Sequence, residues 1–233
     1  MGTAPLGKMT MITKVLRLIT GAAALVIFGG MASADSVYLN SQAGLTTSLG
    51  PSAVAVTPHP LWQTNNPLNP GDPSDHSAVW ISFADTGYGG SVFQPMQGTT
   101  PAVSVFQSFL SGSGMLILNV WADDTADVLL DGNYLAHAVF TQSVCSGQAI
   151  GCRPQDAGVI STAIGAGSHT LEFVLYQVGT GTDTISNPFG LLYSGTAPSA
   201  PPPFGHSPEP ASWILLGTLL MGAGAVKKYR KSS

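Results

Sequence analysis

Between Ser36 and Tyr193 the apolar residues come in short runs of Val, Ile, Leu and aromatics, each cut off by Gly, Pro, Ser, Asn or Asp. No stretch of about a dozen residues carries an apolar stripe at helical spacing. That punctuation excludes a helix bundle and leaves short strands joined by turns. Candidate strands are Ser36–Asn40, Ala53–Val56, Val79–Phe83, Val103–Phe109, Met115–Ala122, Ala126–Leu130, Asn133–Ala136, Gly158–Ile164, His169–Val178 and Phe189–Tyr193. The expected fold is all-β, a single antiparallel β-sandwich of jelly-roll type, with no internal repeat.

The clearest strands alternate. Met115, Ile117, Asn119 and Trp121 face one way and Leu116, Leu118, Val120 and Ala122 the other, so both faces are largely apolar and the strand is expected inside a sheet. His169–Val178 sets Leu171, Phe173, Leu175 and Gln177 against Thr170, Glu172, Val174 and Tyr176. Asp123-Asp124-Thr125 is expected to turn the chain back on itself, and Asp131-Gly132 to form a tight hairpin turn. Thr57–His76, rich in Pro, Asn and Asp, reads as a long loop.

Both ends of the chain differ from this core. Lys8, Lys14 and Arg17 precede an apolar run from Leu18 to Met31 and then Ala32-Ser33-Ala34. A basic region, an apolar helix and a small-residue site predict a secretory signal peptide over residues 1–34, cut by signal peptidase. A domain over 35–195 and a stiff Pro-rich linker over 196–206 follow. At the far end, 207–233, Pro208, Glu209 and Pro210 precede Ala211-Ser212-Trp213, an apolar run to Val226, and the bases Lys227, Lys228, Arg230 and Lys231. A helix of about 14 residues spans about 21 Å, short of the roughly 30 Å hydrocarbon core, so Trp213 and the lysines must extend it to both interfaces. The basic end is expected on the cytoplasmic side of the membrane.

This order of triplet, Trp, apolar run and basic end resembles the PEP-CTERM sorting signal of exopolysaccharide-producing Gram-negative bacteria, also known as the ice-binding protein C-terminal domain. The resemblance implies that a membrane protease, exosortase, recognises Pro208, Glu209 and Pro210. The protein would be anchored transiently in the inner membrane and then released to the cell surface or exopolysaccharide (biofilm) matrix. The alternative is an ordinary single-span anchor that stays uncut. The segment bears on destination and identifies no reaction.

Without its ends, the chain from Asp35 to His206 keeps eleven acids and one base, Arg153. So acidic a surface disfavours nucleic acid, whose phosphates need cationic contacts. The two cysteines, Cys145 and Cys152, are expected to pair in an exported protein, closing a small loop that contributes about 2.5 kcal/mol.

One acidic stretch could carry a ligand: Asp123 and Asp124, then Asp127, then Asp131-Gly132. It resembles the acidic hairpin of PA14-like and other carbohydrate-binding sandwiches. That resemblance implies Asp123 and Asp124 as Ca²⁺ ligands that also grip sugar hydroxyls, Asp127 as a looser ligand, and Asp131 as the turn residue. Ca²⁺ takes six to eight oxygens, so Asp72 and Asp75, or Asp183, would have to help complete the shell. The alternative is that these aspartates simply form turns.

Trp80 and Trp121 lie in apolar runs and are expected in the core, whereas Trp62, beside His59 in the polar loop, is the candidate glycan contact. The five histidines show no paired-ligand spacing, Glu172 falls mid-strand where outward-facing is the default, and no nucleophile elbow or phosphate loop is present. The sequence therefore points to a non-enzymatic structural or adhesive matrix protein that binds exopolysaccharide, with Ca²⁺ as its one candidate cofactor. An extracellular hydrolase with a dispersed site and a passive surface protein are the alternatives.

Overall fold

The computed structural model describes residues 36–63, 78–141 and 150–200. The expected signal peptide, the expected sorting signal (Pro208, Glu209, Pro210, Trp213, Lys227, Lys228, Arg230) and most of the expected linker lie outside these residues, as do Asp72, Asp75, His76 and Cys145. The expected Cys145–Cys152 bridge is outside them for the same reason.

The described residues are all-β. The strands are β1 (Ser36–Asn40), β2 (Thr46–Thr47), β3 (Val54–Ala55), β4 (Ile81–Ser82), β5 (Val103–Ser111), β6 (Gly114–Asp123), β7 (Thr125–Leu130), β8 (Asn133–Ala136), β9 (Gly158–Ile164), β10 (Gly167–Tyr176) and β11 (Gly190–Pro198). They form two antiparallel sheets. One runs β3-β4-β11-β6-β9, with β1 also paired to β11; the other runs β2-β5-β10-β7-β8. β11 pairs as far as Pro198, opposite Ser36, so the last strand takes up the first residues of the expected linker.

Alternation explains the layers. Leu116, Leu118, Val120 and Ala122 of β6 turn inward toward Leu171, Phe173 and Leu175 of β10, and all of them are fully buried. Phe173 stacks on Tyr193 of β11 across the two sheets, with ring centroids 4.2 Å apart. Burial of each large side chain contributes roughly 1.5–3 kcal/mol. The Tyr193 hydroxyl, unable to reach water, donates to Gln107 Oε1 at 2.8 Å.

A second apolar cluster covers one end of the outer face of the β6–β11 sheet. It comprises Val56, Trp62, Ala78, Trp80, Trp121, Cys152 and Leu192. Trp80 and Trp121 are in the core as expected, at 4% and 3% exposed.

One expectation fails in an informative way. Asp123-Asp124-Thr125 does not fold β7 back onto β6. β6 pairs with β11 and β9, while β7 pairs with β10 and β8, so this turn carries the chain from one sheet to the other. Asp131-Gly132 is the true hairpin turn: both residues have positive φ (51° and 79°), as a two-residue turn between twisted strands requires.

That hairpin is clasped from the side. His169 Nδ1 lies 2.7 Å from Asp131 Oδ2 and Nε2 lies 3.1 Å from the Gly165 carbonyl, so two acceptors face one ring and the imidazolium serves both. The hydrogen bond to Asp131 is the main cause holding the His169 pKa above its ordinary value. Partial burial alone would raise the Asp131 pKa, but the bonds from His169 and the Thr170 N–H bring it below the usual carboxylate range. Asp131 therefore stabilises the fold above about pH 4, and His169 does so below about pH 6.5, its share fading as pH rises through its raised pKa. A His169→Gln variant is expected to have a lower urea midpoint than the parent at pH 5.5 and to converge on it by about pH 8.5. An equal gap at both pH values would contradict an ionic clasp.

Candidate functional site

The sheet-to-sheet turn puts Asp123 and Asp124 in the lining of a cleft of about 290 Å³. His59, Leu61 and Trp62 form one wall, Cys152 and Arg153 another, and Gly179–Gly181 with Ser186–Pro188 the third. Both carboxyls are buried, Asp123 at 5% and Asp124 at 3% exposed, and the peptide between them is cis.

Two buried carboxylates side by side are costly unless each is solvated by the protein. Asp124 Oδ2 accepts from the backbone N–H groups of Val178 (2.6 Å) and Gly179 (2.5 Å). Asp123 Oδ2 accepts from the Trp62 indole N–H at 2.6 Å. That single donor does not offset the rest. Burial first, then the charge of Asp124 and a hydrogen bond with it, push the Asp123 pKa well above the carboxylate range. The protonated form of Asp123 is thereby favoured.

The third wall is shaped by close approach. A Cβ on Gly179 would overlap Asn187 Oδ1 and would lie 3.2 Å from Asp124 Oδ2, so only glycine lets these two oxygens converge. Asn187 Nδ2 donates to the Gly179 carbonyl at 3.1 Å, which fixes its amide orientation. Gln177 Nε2, wholly buried, reaches the carbonyls of Gln94 and Asn187 at 3.3 and 3.2 Å and anchors the loop from behind.

Arg153, the one base between the two chain ends, lines the opposite wall. Its Nε is buried without a hydrogen-bond partner among the described residues, and the guanidinium forms no ion pair there. His59 Nδ1 accepts from the Leu61 N–H at 3.1 Å, and burial lowers its pKa, so the ring is neutral near pH 7 with its proton on Nε2.

The residues expected at the site separate. Asp123 and Asp124 come together, but Asp127 is not with them. Its Oδ1 accepts from the Ala138 N–H and its Oδ2 from the Tyr176 hydroxyl, both at 2.7 Å, which ties the 137–141 segment over the outer face of β7. Asp183 is equally occupied: Oδ1 accepts from the N–H groups of Ile185 and Ser186, making an exposed turn. Trp62 is corrected most. It offers no flat face to solvent, being 2% exposed, packed at a tilt with its ring centroid 4.1 Å from that of Trp80, and bonded to Asp123. Arg153, Asn187 and Gly179 were not singled out for the site, although a lone Arg in an acidic domain is a visible signal.

Chemically the cleft joins oxygen acceptors (Asp123, Asp124, Asn187) to a guanidinium donor. No cluster of three His, Cys, Asp or Glu side chains with metal-binding geometry exists among the described residues.

No protein-family model and no curated protein matches this sequence. Among solved structures the chain is similar to a family 35 carbohydrate-binding module of Clostridium thermocellum, 9% identical, covering 70% of this chain and 91% of that one at a TM-score of 0.32. A CBM35 of Paenibacillus barcinonensis is 13% identical over 70% of this chain and 99% of that one, TM-score 0.34. A GH26-CBM35 β-(1,4)-mannanase of Podospora anserina is 14% identical over 73% and 29%, TM-score 0.31. Likeness at this level assigns neither family nor ligand.

The two carboxyls should respond oppositely to neutralisation. Because the folded-state pKa of Asp123 is raised, its contribution is intact below about pH 4 and is lost as pH rises through the folded value. In EDTA, Asp123→Asn is expected to stabilise the protein relative to the parent, increasingly from pH 5 to 8. Asp124→Ala strands two buried N–H donors and is expected to cost about 1–3 kcal/mol. Denaturant melts of both variants across that range check the pair; destabilisation by Asp123→Asn that grows with pH would contradict it.

Proposed function

We propose that this protein is exported, sorted to the cell surface or exopolysaccharide matrix, and binds glycan there in the Asp123–Asp124 cleft as a structural or adhesive component rather than an enzyme. The observation that carries the glycan reading is the cleft itself: oxygens of Asp123, Asp124 and Asn187 on one side and Arg153, whose Nε has no hydrogen-bond partner among the described residues, on the other. Vicinal hydroxyls present donors and acceptors together, which this arrangement can meet from both walls. Export and sorting rest on the signal peptide and the PEP-CTERM-like tail, with signal peptidase and exosortase as partners in transit.

Ca²⁺ fits the donor chemistry. Two carboxylates and an amide oxygen are hard ligands, and sugar hydroxyls can fill the positions the protein leaves open. The cation would displace the proton of Asp123 and relieve its repulsion with Asp124. Asp123 and Asp124 would hold it, joined by Asn187; Asp127 has no part.

A hydrolase reading gains less from this geometry. A protonated acid in a cleft is suggestive, but glycosidic carboxyl pairs stand about 5–9.5 Å apart, whereas Asp123 and Asp124 hydrogen-bond to one another.

The test is retention of the full-length protein on the producer's own exopolysaccharide in Ca²⁺ and in EDTA. Retention is expected in Ca²⁺, weaker by about tenfold or more in EDTA, and similarly weaker for Asp124→Ala and Arg153→Ala. Retention indifferent to EDTA and to both variants would retire the cation site, and no retention at all would leave a passive surface protein.

A further inference from the structure

The two sheets end side by side at one lateral edge. β8 is the last strand of one sheet and β9 the last of the other among the described residues. Between them runs a groove of about 440 Å³, lined by Tyr134, Leu135 and Ala136 of β8 and by residues 158–162 of β9. This is larger than the acidic cleft and shares no residue with it.

Three features of the groove bear on what it can hold. Among the described residues its lining carries no charged side chain, in a domain of eleven acids and one base, so no ionic ligand is favoured. Tyr134, at its rim, is 57% exposed, an unusual cost for an aromatic on a short edge strand. Its ring is not free to swing: it stacks on His137 with centroids 4.5 Å apart and planes 29° from parallel, and the His137 side chain is itself 74% exposed. The β9 side of the groove includes Ser161 and Thr162, whose hydroxyls alternate to opposite faces of the strand, and Val159, 71% exposed, on the same face as Ser161.

We infer that the β8–β9 groove is a second, cation-independent subsite for a neutral pyranose chain. A pyranose ring has an apolar face of axial C–H bonds and an equatorial rim of hydroxyls. Tyr134 would take the face, in the stacking geometry aromatic rings favour, while one β9 hydroxyl, that of Ser161 or of Thr162, exchanges hydrogen bonds with the rim. The reading shares with the acidic cleft only the premise that the ligand is a glycan. It requires neither Asp123 nor Asp124.

The experiment is isothermal titration of the full-length protein in EDTA with three neutral linear probes: cellohexaose, mannohexaose and maltohexaose. At least one is expected to bind, with affinity lowered about tenfold by Tyr134→Ala and unchanged by Asp183→Ala, in an exposed turn outside both sites. Tyr134→Ala and Asp124→Ala are both read in Ca²⁺ on exopolysaccharide as well. Loss there with Asp124→Ala alone, and loss in EDTA with Tyr134→Ala alone, would establish two independent sites. Absence of EDTA-resistant binding to all three probes, or binding indifferent to Tyr134→Ala, overturns the subsite whatever happens at the acidic cleft. A concentration-dependent dimer abolished by Val159→Lys, with no sugar bound, also overturns it and assigns the edge to a second copy of this chain.

Discussion

Burying two neighbouring carboxyls at the point where the chain changes sheets is the constraint that organises the loop end of this domain. Water cannot solvate Asp123 and Asp124, so the protein must. It does so with donors from two segments far apart in sequence, the Trp62 indole and the backbone of Val178–Gly179, and with a proton retained on Asp123. Each solution imposes another. Trp62 must be buried to reach Asp123, and its tilted packing on Trp80 builds the second apolar cluster with Trp121 and Leu192. Gly179 must lack a side chain, which lets Asn187 close over the same spot.

The same residue type serves opposite ends elsewhere. Asp127 and Asp131 have oxygens consumed by hydroxyl, backbone and imidazole partners that lace one segment to another. Their carboxylates act as structural links between segments. Asp123 and Asp124 differ in facing a cleft, with their mutual repulsion left for a proton or a cation to relieve. A site for ligand and a scaffold for loops thus arise from aspartates within nine positions of each other, distinguished by their partners.

Much of the sandwich was legible in the sequence. Strands such as Asn133–Ala136 and Gly158–Ile164 coincide with their expected limits, because period-two burial and Gly, Asn or Asp punctuation are local properties. Thr46–Thr47 escaped notice because two residues carry no pattern. The destination of β7 was not legible either. An Asp-Asp-Thr turn has the same composition whether it folds a hairpin or crosses between sheets, and only the distant pairing of β7 with β10 decides. Trp62 looked like a surface residue from its polar neighbours, since the partners that bury it are Trp80 and Asp123, the latter 61 positions away. Arg153 stood out by its solitude but gave no direction until the cleft placed it.

Direct observation of the Asp123 proton tests this picture best. Carbon-13 spectra of the aspartate carboxyls would follow Asp123 through a pH titration of the full-length protein, in EDTA and then in Ca²⁺. In EDTA, Asp123 is expected to titrate well above the ordinary aspartate value of about 3.9, and saturating Ca²⁺ to ionise it with release of about one proton. An Asp123 carboxyl that titrates near the ordinary value, or that ignores Ca²⁺, would contradict the claim that this buried pair is built to exchange a proton for a bound cation.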